Sequence, residues 1–444
     1  MKIHWDFSLE KKYFILFRLI AIKSIMKKIV SFLGILIVGF VVLFFVIKSE
    51  PIPEYNPERN YVDGKENEIL SKFLLAKDST VIELGEGHFN LSQSLSLDGV
   101  KHVTIIGKGI HKTVLNFKGQ TKGAEGIRIT NCTSITLQDL TVENAKGDNI
   151  KVMDTDGITF KNIEASWTGK VSEENGAYAF YPVLCNNVVI DNCRAIGASD
   201  AGIYVGQSNN VIIRDNEAFY NVAGIESENS KNVKIFGNKA YENTGGILVF
   251  DLPGLTQYGS NIEVFNNEVY SNNIKNFATK GSIVGQVPSG TGGIVLGTED
   301  VYIHDNNFKD NKTNSIAIAS YVLIYEMGKG DAPSQEVAAD VGSARLINDK
   351  YLQDKNYNPY PRKIRIGNNS YANSHMFPTI NNDFGRIMLL KKPFQTVDVL
   401  WDGVEAPNAA YTVCFENDHL SFYGLDVLND FKNATSDVSK FMCK

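Results

Sequence analysis

An interval of 22 residues dominates the middle of this chain. Ile203, Ile225 and Ile247 are spaced by it, Ile294 and Ile316 repeat it, Ile127 and Ile150 miss it by one, and Phe180 takes the same slot. A second apolar strand starts eight residues after nearly every one, at Ile135, Ile158, Val188, Val211 and Val233, with Val301 seven after Ile294. Five residues further come Asn216, Asn238, Asn267 and Asn306, with Cys193 in the equivalent place, and five beyond those come Asn221, Asn243, Asn272 and Asn311. A unit this short cannot bury its own inner face, so successive units must stack, about 4.8 Å apart, as three short strands per coil with alternate residues turned inward. Asn suits a corner where the backbone turns left-handed and amides stack from coil to coil. A leucine-rich repeat has a similar period, but its LxxLxL spacing and helical half are missing. The spacing therefore predicts an all-β chain, a parallel β-helix over residues 63–377.

The flanks read differently. Residues 29–47, IVSFLGILIVGFVVLFFVI, hold no charge and are long enough to cross a bilayer as a helix. Lys27 and Lys28 precede this run while Glu50, Glu54 and Glu58 follow it, which puts the bulk of the chain outside the cytoplasm. The reading is an uncleaved transmembrane anchor, with a cleavable signal as the alternative, and the body in the periplasm or on a bacterial cell surface. Residues 1–28 are then cytoplasmic, and Met26-Lys27-Lys28 resembles a natural start. Residues 48–62 read as a tether. Residues 67–75 can form a short amphipathic helix. From residue 378 the repeat stops, and 378–444 is expected as a small C-terminal cap that hides the open sheet edge.

Composition narrows the partners. A net charge of −6 leaves no basic excess to displace counterions, which excludes nucleic acid as the main partner. The five cysteines fit no metal-ligand spacing, the seven histidines form no group, and no cofactor is implied. In an exported chain Cys414 and Cys443 can close a loop across the C-terminal segment, while Cys132, Cys185 and Cys193 read as free.

The segments IELGEGHFNL (82–91), DAGIYVGQSNNVIIRDN (200–216), NVAGIESENSKNVKIFGN (221–238) and TGGILVFDLPG (244–254) make the chain resemble the right-handed, pectate-lyase-like β-helix superfamily. It is most similar to bacterial parallel β-helix repeat proteins, and the likeness covers roughly residues 80–376. It implies the fold and leaves chemistry open, because this architecture hosts lyases, epimerases, hydrolases and binders. The catalytic signatures of that superfamily are missing: Gly202-Ile203 is followed by Tyr204-Val205-Gly206-Gln207, not by the epimerase Asp-Pro-His-Asp run, and Gly147-Asp148-Asn149 offers one carboxylate where polygalacturonases have a pair.

Alternation along the first strand points Arg128, Lys151, Tyr181, Tyr204, Glu226 and Leu248 outward in one row. Thr130, Met153, Val183, Gly206, Glu228 and Phe250 form a second row on the same face. Four extra loops flank this strand, so they can wall a groove over Tyr181, Tyr204, Glu226 and Phe250, with Asp200 and Asp251 at its rims. Tyrosines beside cations and carboxylates suit a sugar polymer: rings stack on pyranose faces, Lys151 pairs a uronate, and Tyr204 or Glu226 transfers a proton. Lys151, Tyr181, Glu228, Phe250, Asp251 and Asp200 would bind substrate. The bland alternative leaves Glu226 and Glu228 solvated on an open sheet. The functional expectation is a membrane-anchored protein that recognises an acidic polysaccharide along one sheet. The alternatives are a lyase, epimerase or hydrolase of uronate polymers, or an envelope accessory protein that binds a protein partner.

Overall fold

The computed structural model describes residues 52–328, 350–375, 377–392, 394–417 and 419–444. Parallel strands stack coil on coil around an apolar interior. The first sheet has 11 strands, from Gln93–Asp98 to Phe422–Gly424. The second and third faces merge where Thr133–Glu143 and Asp156–Ser166 run around the corner between them. Ile127, Ile150, Phe180, Ile203, Ile225 and Ile247 all point inward and are at most 4 % exposed. Each such side chain contributes roughly 2–3 kcal/mol by leaving water.

The 22-residue spacing slips once. Ile247 pairs with Gly293, not Ile294, and Gly293 pairs with Ile316. Ile294 therefore stands on the outer row beside Leu248. The inward slot at Gly293 needs no side chain, because the Phe308 ring lies 3.9 Å from where a Cβ would sit. Counted from Gly293, Val301 recovers the ordinary spacing of eight.

At the Asn corners the two expected jobs are divided between neighbours. Asp215, Gly237, Asn266 and Asp305 take the left-handed backbone, with φ of 57°, 69°, 54° and 53°. Asn216, Asn238, Asn267 and Asn306, each next in sequence, stack their buried amides at 2.8–3.0 Å. Asn221, Asn243, Asn272 and Asn311 form a second such ladder.

The segment expected as a tether is docked. Glu54–Tyr55 pairs antiparallel with Gly169–Lys170, and Tyr61–Val62 pairs parallel with His88 and Phe89. Between them the Arg59 guanidinium reaches Glu143 at 3.1 Å and Glu164 at 3.3 Å, two side chains with no exposed surface. Tyr55 donates to Glu164 at 2.9 Å, and Tyr61 donates to Glu143. A bare carboxylate pair at that depth needs such partners, so these residues are strapped to the coil. The anchor expected over 29–47 lies outside the described residues, and no helix among the described residues is long and apolar enough to cross a membrane.

Stacking does not stop at residue 377. Val397–Trp401 adds in parallel to Asn314–Ala319, Val413–Phe415 to Arg362–Gly367, and Phe422–Gly424 to Val397–Trp401. The pattern is hidden in the sequence by an inserted helix, Asp383–Lys391, whose cap Asn382 accepts from the Gly385 N–H at 2.8 Å. Thr435 then covers the last strand through an antiparallel bridge to Gly424. A disulfide joins Cys414 to Cys443, 29 residues apart, while Cys132, Cys185 and Cys193 are buried and free. Closing a loop of that length stabilises by about 3–4 kcal/mol. Reducing agent should therefore free the last dozen or so residues to protease while the coils stay resistant, read by limited proteolysis with and without reductant. Identical digestion patterns would contradict this role.

Candidate functional site

Strand register places Arg128, Lys151, Tyr181, Tyr204, Glu226 and Leu248 in one outward row, as alternation predicts. Gly206, Glu228 and Phe250 align in the next. Exposure changes sharply along the row. Arg128 is exposed, Lys151 and Tyr181 are half-buried, and Tyr204, Glu226 and Glu228 are 1 %, 1 % and 2 % exposed. The solvated-glutamate alternative is therefore excluded. The inserted loops supply Leu252, Ile283, Val284, Val287, Tyr321 and Tyr357, which pack with Tyr204, Leu248 and Phe250 in one apolar cluster. They roof this part of the face rather than wall it.

Under that roof the polar groups pair among themselves. Tyr204 lies along its own strand across Gly206, where a Cβ would come within 2.2 Å of the Tyr204 hydroxyl. Only glycine leaves this path open, and it lets the hydroxyl donate to Glu228 at 2.8 Å on the next coil. Tyr178 donates to Asp200 at 3.2 Å. Tyr178, Tyr181 and Tyr204 form a ring cluster with centroids 4.5, 4.6 and 5.0 Å apart. The Oε2 of Glu226 is buried with no hydrogen-bond partner.

These carboxyls are displaced by their surroundings. Burial pushes Asp200 up to about 8, and the nearby Glu228 and Asp148 add to it while the Tyr178 hydroxyl opposes it. Burial raises Glu228 to about 7 against the pull of the Tyr204 hydroxyl. Glu226 is held well above the carboxylate range by burial first, then by Asp200 and Glu228. Near neutral pH the face thus holds protonated carboxyls that can donate as well as accept.

Asp251 does a different job from the one expected of it. Both its oxygens accept the Gly259 N–H, at 2.8 and 2.9 Å, and its carbonyl accepts the Tyr357 hydroxyl at 2.7 Å, so it pins two loops to the sheet. Phe250 is packed into the apolar cluster at 2 % exposure, where it reaches no ligand. Lys151 is already engaged: its Nζ lies 3.7 Å from both Glu125 and Asp148, and 4.9 Å from the Tyr181 ring centroid. Glu125, Asp148 and Tyr178 are members of this face that sequence reasoning missed. The spacing from Asp148 to Lys151 was visible. Tyr178, however, sits on the inward parity of its strand, so alternation gives no sign that its ring packs on Tyr181 and Tyr204. No group of three or more metal-binding side chains is assembled among the described residues. A cavity of about 700 Å³ lies elsewhere, at the C-terminal end between Trp401, Tyr411 and Phe441. It gathers none of the displaced carboxyls, and the first-sheet face remains the stronger candidate.

The model of the right-handed β-helix region matches residues 94–256. No curated protein matches the chain. Among solved structures, the A-module of the mannuronan C-5 epimerase AlgE6 from Azotobacter vinelandii superposes with a TM-score of 0.50 at 14 % identity, covering 79 % of this chain and 87 % of that one. The A-module of AlgE4 from the same organism gives 0.48 at 14 %, covering 78 % and 92 %. An exopolygalacturonase from Thermotoga maritima gives 0.44 at 9 %, covering 84 % and 90 %. At these identities the likeness concerns the fold alone.

Proposed function

We propose that this right-handed, pectate-lyase-like parallel β-helix recognises a polysaccharide on the face of its first sheet, from a position outside the cytoplasm. The observation that carries this reading is the Tyr178–Tyr181–Tyr204 ring cluster set among carboxyls, half open at Tyr181 and roofed from Tyr204 onward. Half-exposed aromatic surface beside polar donors and acceptors is what a pyranose ring needs from a protein. The likeness in fold to the A-module of a mannuronan C-5 epimerase is in keeping with a carbohydrate role. The apolar run 29–47 and the Cys414–Cys443 disulfide support a membrane-anchored chain in an oxidising compartment.

A glycan array probed with the full chain tests the reading. Binding is expected, and Tyr181→Ala should weaken it roughly ten-fold by removing one stacking ring. Binding that Tyr181→Ala leaves untouched would move the site elsewhere, and no binding to any polymer would end the glycan reading in favour of a protein partner in the envelope.

One observation favours catalysis as a second reading. Glu226 is buried, with an unpaired Oε2, beside a Tyr204–Glu228 pair, and burial raises its proton affinity, an arrangement suited to general acid and base. In that case new reducing ends or unsaturated products appear with the bound glycan, and Glu226→Gln removes them while binding survives.

A further inference from the structure

The open end of this face already holds a cation, and it is the protein's own. The Lys151 ammonium sits over the Tyr181 ring at 4.9 Å, between Glu125 and Asp148 at 3.7 Å each. Its side chain is 23 % exposed, so solvent and ligand reach it. An aromatic face flanked by carboxylates is the arrangement by which proteins bind ammonium groups. We propose that this subsite takes a protonated amino group from the ligand, with Lys151 as its stand-in, so that the recognised polysaccharide carries free amino sugars rather than uronates. The inference rests on the glycan reading above and adds the substrate class.

Three further observations point the same way. Five carboxyls share the face, Glu125, Asp148, Asp200, Glu226 and Glu228, and among the described residues Lys151 is the only cation in ion-pair contact with any of them. Asp200 and Glu228 have only tyrosine hydroxyls as side-chain partners here. Glu226, 1 % exposed, keeps an Oε2 with no donor at all. At the open end of the face, where Glu125 and Asp148 keep contact with solvent, a ligand that supplies N–H donors meets acceptors and no competing cation but Lys151. A uronate would instead meet Glu125 and Asp148, and it would have to take Lys151 away from both.

The two substrate classes make opposite demands on Lys151, which decides the test. Isothermal titration of the full chain would use three hexamers of one length: glucosamine, its N-acetylated form, and a uronate. The glucosamine hexamer should bind roughly ten-fold tighter than the other two. Lys151→Met keeps an apolar stem on Tyr181 but removes the competing ammonium, and it should tighten the glucosamine hexamer several-fold. Glu125→Gln, at a partly exposed position, should weaken it. Tighter or equal binding of the uronate or the N-acetylated hexamer overturns the inference and leaves the glycan reading standing, and so does loss of glucosamine binding in Lys151→Met. Failure of all three hexamers to bind overturns the inference, and the glycan reading falls with it only if the array also shows no binding.

Discussion

Glu226→Gln should make the protein more stable at pH 9 and leave it unchanged at pH 3. Glu226 is a buried carboxyl with an unpaired oxygen and no cationic partner among the described residues. Its proton affinity in the folded chain is raised by burial, then by Asp200 and Glu228. A carboxyl raised in this way costs nothing below its unfolded value near pH 4, where it is protonated in both states. As pH rises, the unfolded chain ionises first, and folded stability falls until the folded group titrates. Asp200 at about 8 and Glu228 at about 7 behave alike, so the loss builds between roughly pH 4 and 8. Glutamine keeps the volume and never ionises. It should recover roughly 2–4 kcal/mol at pH 9 and nothing at pH 3. Urea unfolding at the two pH values measures this directly. Equal effects at both, or a loss at pH 9, would mean that Glu226 is already compensated in the folded chain.

The coil and its outward row were legible because they repeat. A period of 22 with a second strand eight residues on allows one stacking solution, and alternation then places Lys151, Tyr181, Tyr204 and Glu226 together. What failed to show depends on contacts that do not repeat. The roof over Tyr204 is built from scattered apolar residues such as Leu252, Ile283 and Tyr357, in loops whose target no local pattern specifies. The strap of residues 54–62 looks like a polar linker until Arg59 is seen to bridge the buried Glu143 and Glu164. At Gly293 the apolar rule itself misleads, because the inward slot is filled by Phe308 from another strand and the neighbouring Ile294 is drawn out to the loops. The last coil escaped notice for a related reason, since the helix Asp383–Lys391 interrupts the count without interrupting the stack. Periodicity reads the scaffold, whereas the environment of the site depends on insertions, which have no period.

Asn238→Ala should cost about 4 kcal/mol or more, among the largest single losses available in the coils. Asn238 is fully buried. Its side-chain amide donates to the carbonyls of Ile213 at 2.9 Å and Phe236 at 3.1 Å, and to Asn267 at 3.0 Å. Its Oδ1 accepts the Asn216 backbone N–H at 3.0 Å and the Asn216 amide at 2.9 Å. Alanine strands these groups in a place water does not reach, and each orphan costs about 1–3 kcal/mol. The exposed ladder supplies the control. Asn232 donates to Asn210 at 3.1 Å and accepts from Asn261 at 2.9 Å, but solvent can replace both partners. Asn232→Gly removes that amide without straining a backbone at φ 54°, and it should cost less than about 1 kcal/mol. Denaturation midpoints of the two variants, with hydrogen exchange of the flanking strands, separate the cases. A loss below 1 kcal/mol at Asn238, or equal losses at both sites, would show that the coils are aligned by apolar stacking alone. The expected gap would show that the inner amides fix where each coil turns, which is also what keeps Lys151, Tyr181 and Tyr204 in line on the face beyond.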